Sequence, residues 1–560
     1  MTKQVYIPRF SKADDIDEFV AKLEAYERGE ITPDQFRAFR LLRGVYGQRQ
    51  ADVQMFRIKI PYGLLGRPQL DAIADVAERY SRGFGHVTTR QNVQLHFMKL
   101  ADAEAAMRIC DEAGLTTREA CGNSVRTVTA CELAEVCGGA AFDVSPYAEA
   151  LTRYFLRHPL AASLPRKFKI AFSGCGSDCA YGAIHDLGFI AKVQDGTPGF
   201  KVYAAGGLSS SPQAALVLHE FLPAAELART AEAILRLFHT LGNRENKHRA
   251  RLKYVLRKLG EAGFRAKYEA LRAEVDAEAK AELRLPESPA RAPGAPRAVP
   301  AQRAEGYLRW RASAVVDQRQ DGYAAVYVRL FLGDIDARQM RALGRIAEEL
   351  GDGSVRLTAD QNILIPWVHR DSLPALHVAL VEAGLARVDV HTAKDVTSCP
   401  GAESCNLAVT ASRRLGGAIG ERLEGADVQH LAALQDNSCG QHHIADIGFH
   451  GGAKKESGST YPVYQLHLGG GVDERGARFG RQVVKVFAHR APEAVVLLLR
   501  LYESDRLEGE TSAAFYQRVD AKRVLEVLAP VLVPPTRDDL VDIGETTGFQ
   551  VETGEGECAG

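Results

Sequence analysis

The sequence predicts an α+β protein built from two tandem, homologous halves related by a pseudo-two-fold axis. Three observations predict it. The stretch 47–92 recurs at 317–362 with a constant offset of 270, so that Gln48 answers to Gln318 and Gln91 to Gln361. A C-x5-C motif occurs at Cys131–Cys137 and again at Cys399–Cys405. The run Asp186-Leu-Gly-Phe returns as Asp446-Ile-Gly-Phe.

The elements follow in chain order. Residues 1–46 read as an N-terminal helical segment. The first repeat, 47–120, opens with the strand alternation VQMFRIKI, continues with the helical pattern LDAIADVAERY, and returns through HVTTRQNVQLHF as a second strand, a compact β-α-β unit. A first lobe, 121–282, holds the strand RKFKIAF, four cysteines and a long charged helical pattern from 245. Residues 283–306, rich in Ala, Arg and Pro, read as an extended linker. The second repeat, 307–390, and a second lobe, 391–545, follow, with a tail at 546–560. A ligand between two such halves is a natural expectation.

Composition narrows the function. At 46% hydrophobic and 25% charged the chain is ordinary globular protein, and a formal charge of −1 favours neither nucleic acid nor an anionic membrane. MTKQVYIPRF lacks the apolar core of a secretory leader, and the apolar run AVVLLLRLY is too short to span a bilayer, so a cytoplasmic protein is expected. In a reducing compartment ten cysteines point to metal or redox chemistry where they cluster and to small buried apolar residues where they do not. Cys110, Cys121 and Cys558 belong to the second kind.

Two candidate sites emerge. Lys167 and Lys169 alternate with Phe168 and Ile170, so both ammoniums share one strand face and repel unless an anion lies between them. An edge strand protected by lysines has the same pattern. Arg90 in TTRQN and Arg126 in GNSVR add cations. The second repeat reads TADQN and has nothing like RKFK, so the cations belong to one half, which argues against a purely structural role. The other candidate is the cysteines. The first lobe holds a full set, Cys131, Cys137, Cys175 and Cys179. The second offers Cys399, Cys405 and Cys439, with Gln435 at the place of Cys175 and a segment of about eight residues, including the strand FKIAFSG, expected to be missing. C-x3-C on a helical turn would put both sulfurs on one side. Four thiolates suit zinc or a 4Fe–4S cluster, and the spacing leans to the latter.

TTRQN, GNSVR, LPRKFKIAFSGC, TSCPGAESC, NSCGQHHIADIGF and the duplication together resemble the siroheme-dependent nitrite and sulfite reductases over nearly the whole chain. The resemblance implies two ferredoxin-like half-domains forming one unit, with two α/β lobes completing a three-domain body. It implies siroheme bridged through a cysteine sulfur to a 4Fe–4S cluster, and six-electron reduction of nitrite to ammonia or sulfite to sulfide. Electrons would come from ferredoxin or a flavoprotein, with no nucleic-acid or membrane partner. By motif match Arg90, Arg126, Lys167 and Lys169 face the oxyanion, and Gln91, Asn92, Gln361 and Asn362 lie at the cofactor. The family rule puts the cluster on Cys399, Cys405 and Cys439, leaving Gln435, a poor ligand for soft iron, where a thiolate is expected. The first-lobe set is the alternative, and loss of the centre is a third outcome. Thr127 also departs from the usual asparagine. A precorrin-3B synthase-like enzyme and a non-catalytic relative remain the competing readings.

Overall fold

The computed structural model describes residues 6–287, 306–424, 426, 434–436, 440–554 and 557, with 434–436 described as backbone only. Most of the expected linker, 288–305, together with Cys439 and Cys558, lies outside the described residues.

Two helices open the chain: α1 (Ala13–Glu27), and α2 (Pro33–Leu41), which starts at a capping box between Thr32 and Gln35. The first half-domain comprises β1 (Val45–Gly47), β2 (Gln54–Ile58), β3 (Leu64–Gly66), α3 (Arg67–Tyr80), β4 (Phe84–Val87), β5 (Val93–Met98) and α4 (Ala103–Glu112). The second strand expected over HVTTRQNVQLHF is therefore two antiparallel strands, with TTRQN as the turn between β4 and β5. Gln91 causes this. Its φ of 54° takes the chain into the left-handed region and ends the strand.

The first lobe contains β6 (Thr129–Ala130), α5 (Ser145–Phe155), β7 (Ile170–Ser173), β8 (Leu187–Gln194), β9 (Thr197–Ala204), β10 (Leu216–Pro223), α6 (Leu227–Leu241) and α7 (Leu252–Glu278). Its sheet order is β10-β9-β8-β7-β6, parallel along β6-β7-β8. The second half-domain has α8 (Tyr307–Ala314), β11 (Val315–Asp317), β12 (Tyr323–Val328), β13 (Asp334–Asp336), α9 (Ala337–Leu350), β14 (Ser354–Leu357), β15 (Ile363–His369) and α10 (Leu373–Glu382). The second lobe has α11 (Ser412–Glu424), β16 (Leu434–Asp436), β17 (Ile447–Glu456), β18 (Ser459–Leu468), β19 (Gly471–Asp473), β20 (Gly476–Arg478), β21 (Arg481–Phe487), α12 (Ala491–Asp505), α13 (Ser512–Arg518) and α14 (Ala521–Leu528).

The half-domains exchange edge strands. The first sheet runs β1-β2-β5-β4 and is completed by β13; the second runs β11-β12-β15-β14 and is completed by β3. One hydrophobic core spans both and includes Ile73 and Val76 of α3 with Leu343 and Ala347 of α9. Each lobe has its own core. The duplication is legible in small devices. Gln48 accepts from the N–H of Phe97 at 3.0 Å, and Gln318 accepts from that of Trp367 at 3.1 Å. Phe97 and Trp367 both have positive φ. In Asp-x-Gly-Phe, the glycine lets a loop carbonyl approach where a Cβ would collide, Gly182 over Gly188 and His442 over Gly448, while the phenylalanine enters the lobe core.

The second lobe does not lack a strand before its last cysteine. β16 pairs in parallel with β17, Gln435 opposite Gly448, just as Ala171 lies opposite Gly188 in the first lobe. Gln435 thus holds the strand place of Ala171 rather than of Cys175. Cys175 follows Ala171 by four residues and Cys439 follows Gln435 by four. The connection from Ala171 to Gly188 is four residues longer than that from Gln435 to Gly448, so the shortening falls after the strand.

Replacing Gln318 by leucine leaves the half-buried backbone N–H of Trp367 without its acceptor. The expected cost is about 1–3 kcal/mol, read as a lower midpoint in chemical denaturation, with Gln48→Leu giving a loss of similar size.

Candidate functional site

The cations sit before the strands of the first lobe. Phe168 forms an isolated bridge to Val125, and β7 begins at Ile170, so RKFK is an extended lead-in. Phe168 and Ile170 are buried while Lys167 and Lys169 are half-buried, the alternation expected. Arg90, on the hairpin turn, reaches across. Its Nη2 donates to the Ile170 carbonyl at 2.8 Å and its Nη1 lies 2.6 Å from Nε2 of His185. His185 Nδ1 donates to the Tyr181 carbonyl, which leaves Nε2 as the acceptor for Arg90. Burial, then Arg90 and Lys169, hold the His185 pKa well below its ordinary value, in keeping with a neutral ring. Arg126 is fixed by the carbonyls of Gly122 and Ala120 at 3.0 and 3.1 Å.

Lys59, which the sequence reading did not single out, completes the group. It directly follows β2, in an isolated bridge to Thr116, is buried, and its Nζ has one long contact, 3.4 Å, to the Val125 carbonyl. Burial pushes its pKa down to about 8, Glu119 opposes this, and Arg126, Arg157 and Arg90 lower it further. Burial likewise lowers Arg90 to about 9, with Asp186 opposing and Arg126 and Arg251 adding to the shift. The Arg90 Nε–H is buried without a hydrogen-bond partner. Concentrated, desolvated positive charge with an unsatisfied donor is what a small anion neutralises. A second acid frames the site. Asp186 accepts from the Lys169 N–H at 2.8 Å and from Arg251 Nη2 at 2.7 Å, and is wholly buried.

Gln91, Asn92, Gln361 and Asn362 are buried and hold the two turns in place. Gln91 donates to the Ala130 and Leu357 carbonyls and accepts from the Ala130 N–H. Gln361 donates to the Val87 carbonyl and accepts from the Ser398 N–H. Asn92 accepts from Ile60 N–H and Asn362 from Leu330 N–H. Through Gln91 and Gln361, each turn is tied to its own lobe just before the C-x5-C loop.

The four first-lobe cysteines are brought together at the other end of the strands. Cys131 follows β6 and Cys175 follows β7. The Cys131 thiol meets that of Cys179, which, followed by burial, holds its pKa well above the ordinary value. Cys137 is raised mainly by burial and faces Cys175 and Cys179. The Cys175–Cys179 turn is not helical. It is built on Asp178, which accepts from Ser173 Oγ at 2.7 Å and from the N–H groups of Gly182 and Ala183 at 2.8 and 2.9 Å. Among the described residues no three His, Cys, Asp or Glu side chains close around a single ion. A four-iron cube needs a wider ring of thiols than one ion does. Of the second-lobe set, Cys399 and Cys405 are half-buried, Cys399 lies close enough to Arg413 to raise it, and Cys439 lies outside the described residues. Cys110 and Cys121 are buried in apolar clusters, as expected of them.

Each C-x5-C loop is gripped by the opposite repeat. Arg319 N–H donates to the Val136 carbonyl at 2.7 Å, and its side chain to the carbonyls of Cys137 and Ala140. Arg49 N–H donates to the Ser404 carbonyl at 2.9 Å, and its side chain to that of Ala408.

Asp186→Asn leaves Arg251, whose side chain is 12% exposed, charged and unpaired. Denaturation should show a loss of about 3–5 kcal/mol, and the double variant with Arg251→Met should recover part of it.

Comparison with known proteins accords with this geometry. Residues 121–275 match the nitrite and sulphite reductase 4Fe-4S domain, and residues 46–113 and 316–383 each match the nitrite/sulfite reductase ferredoxin-like half domain. The chain is 30% identical to the ferredoxin–nitrite reductase of Synechococcus elongatus over 433 residues, covering 75% of this chain and 80% of that one. It is 28% identical to sulfite reductase [ferredoxin] 1 of Mycolicibacterium paratuberculosis over 490 residues, covering 85% and 84%. Among solved structures, the NirA protein of Mycobacterium tuberculosis superposes with a TM-score of 0.75 at 25% identity, covering 92% of this chain and 98% of that one. Membership implies siroheme and a 4Fe–4S cluster as cofactors, and the four-thiol set and buried cations fit such groups. No helix among the described residues is long and apolar enough to cross a membrane. With its duplicated fold, its exchanged half-domains and these relatives, the chain belongs to the nitrite and sulfite reductase family of oxidoreductases.

Proposed function

We propose that this protein is a siroheme-dependent, six-electron reductase of a small inorganic oxyanion, nitrite or sulfite, supplied with electrons by a ferredoxin. The observation that carries the reading is the buried group of Lys59, Arg90 and Arg126 beside Lys167 and Lys169. A permanent site of this kind selects anions by charge and small ones by burial. The printed names of the relatives divide between nitrite and sulfite, and the chemistry of the cations accommodates both.

When bound, the tetrapyrrole and cluster would pass the donor's electrons on and provide the metal centre. The chain supplies the rest. Arg90 offers its unsatisfied Nε–H to an anion oxygen while its other nitrogens are anchored on Ile170 and His185. Preorganised donors of this sort need no reorganisation as negative charge develops. Lys59, its pKa lowered by burial to about 8, can carry a proton to an oxygen that leaves as water. Lys167 and Lys169 extend the field outward, where it draws the anion in.

The test is turnover of nitrite and of sulfite by holoprotein with reduced ferredoxin, following ammonia and sulfide. Six-electron reduction of either supports the reading. Tetrapyrrole-loaded protein that reduces neither overturns it.

The charge on Lys59 is present below its pKa of about 8 and lost as pH rises through it. The free-enzyme profile, kcat/KM for nitrite, should therefore fall across that point. Lys59→Met should remove the step and lower kcat/KM by about 10²–10³-fold.

A further inference from the structure

Arg90 and Asp360 hold the same place in the two matching turns, TTRQN and TADQN, with opposite charge. Two side chains of the first lobe join them. Arg90 Nη1 donates to His185 Nε2 at 2.6 Å, and His185 Nδ1 donates to the Tyr181 carbonyl. Tyr181 Oη in turn donates to Asp360 Oδ1 at 2.7 Å. One connected path, Arg90–His185–Tyr181–Asp360, therefore runs from the anion site to the opposite repeat.

The groups along it are committed. Burial, then Asp360, hold the Tyr181 pKa well above its ordinary value, so the phenol remains a donor. Arg90, Lys169 and Arg251 are the cations around the His185 ring, and Asp186 follows it in the chain. The ring gives its Nδ1–H to a carbonyl and its Nε2 lone pair to a guanidinium. Such a histidine has no proton to offer an anion. What it can do is hold the guanidinium in one orientation.

The duplication shows that the turn itself needs neither side chain. Gln441 and Ala445 stand in the second lobe where Tyr181 and His185 stand in the first. Gln441 has the same left-handed backbone as Tyr181, with φ of 67° and 57°. The Ala445 carbonyl accepts from the Gly470 N–H at 2.9 Å, as that of His185 does from Gly206 at 2.8 Å. The backbone is common to both lobes, and the tyrosine and histidine occur only where the matching turn carries an arginine.

We propose that His185, Tyr181 and Asp360 are positioning residues for Arg90, through which the second repeat sets the guanidinium so that its unbonded Nε–H is presented to the oxyanion. The proposal rests on the anion reading above but on neither choice of anion.

The test separates the two ends of the imidazole. A glutamine at 185 places an amide oxygen near the position of Nε2 and can still accept from Arg90. An asparagine is too short for that but can still serve the Tyr181 carbonyl. Full-length holoprotein and the variants are compared by kcat and KM for nitrite with reduced ferredoxin, and by calorimetric binding of nitrite and of sulfite to the oxidised protein. We expect His185→Asn to raise KM and Kd and to lower kcat/KM by about 10²-fold. His185→Gln should recover most of that loss. Tyr181→Phe, which gives up the bond to Asp360, should weaken binding by up to about tenfold. In an Arg90→Gln background His185→Asn should cost nothing further, because it acts through the arginine. Equal effects of glutamine and asparagine overturn the proposal, as does full additivity with Arg90→Gln. A fall in kcat alone, with KM and Kd unchanged, would make His185 a proton donor and also overturn it. Unchanged circular dichroism and tetrapyrrole absorbance are required of each variant. If His185→Asn fails them, His185→Ala takes its place, and if alanine fails too the histidine serves the fold and the proposal falls. Protein that reduces neither anion but binds one, with glutamine favoured over asparagine, sinks the reductase reading and leaves this inference standing. Wild-type protein that binds neither overturns both.

Discussion

Everything in this molecule depends on the exchange of edge strands between its two half-domains. β3 leaves its own repeat to close the sheet of the other, and β13 does the reverse. Each sheet thus has hydrogen bonds that only the partner repeat can satisfy, and the helices α3 and α9 bury their apolar faces in one shared core. Neither half-domain sheet is complete alone. The exchange also fixes how the lobes are held, because the loops that carry Arg49 and Arg319 grow from these sheets and clasp the cysteine loop of the opposite repeat.

Upon that symmetric frame the chemistry is asymmetric. The first repeat places Arg90 where the second has Asp360, and Lys167 and Lys169 have no counterpart before β16. Burial makes the difference consequential. Desolvation lowers Lys59 and Arg90, so these cations stand in an environment that gains more from an anion than an exposed patch would. Arg251 and Asp186 pair behind them and keep the lead-in to β7 in register.

The sequence made some of this plain and concealed the rest for physical reasons. The repeats, the helices and the alternation around Lys167 and Lys169 were legible because they are local or periodic. The hairpin was read as one strand because nothing in the composition of TTRQN marks the positive φ of Gln91, a residue of ordinary stereochemistry held there by bonds to Ala130 and Leu357. β16 went unseen because three residues pair with a strand beyond the next loop, and Gln435 was consequently matched to Cys175 instead of Ala171. Lys59 looked like any charged residue in an alternating strand. Its importance comes from neighbours over thirty positions away in the chain, Arg90 and Arg126. The Cys175–Cys179 turn mimicked a helical spacing, but Asp178, not a helix, shapes it.

The strand exchange has an ancestral consequence. Swapped strands, a shared helical interface and reciprocal arginine clasps are what two identical chains would use to form a closed two-fold dimer. Such a dimer would carry two equal sites and could not alter one without altering the other. Joining the copies in a single polypeptide removes that restriction. Once fused, one repeat could gather cations while its twin acquired Asp360 at the matching turn, so that two positions once identical came to carry opposite charge.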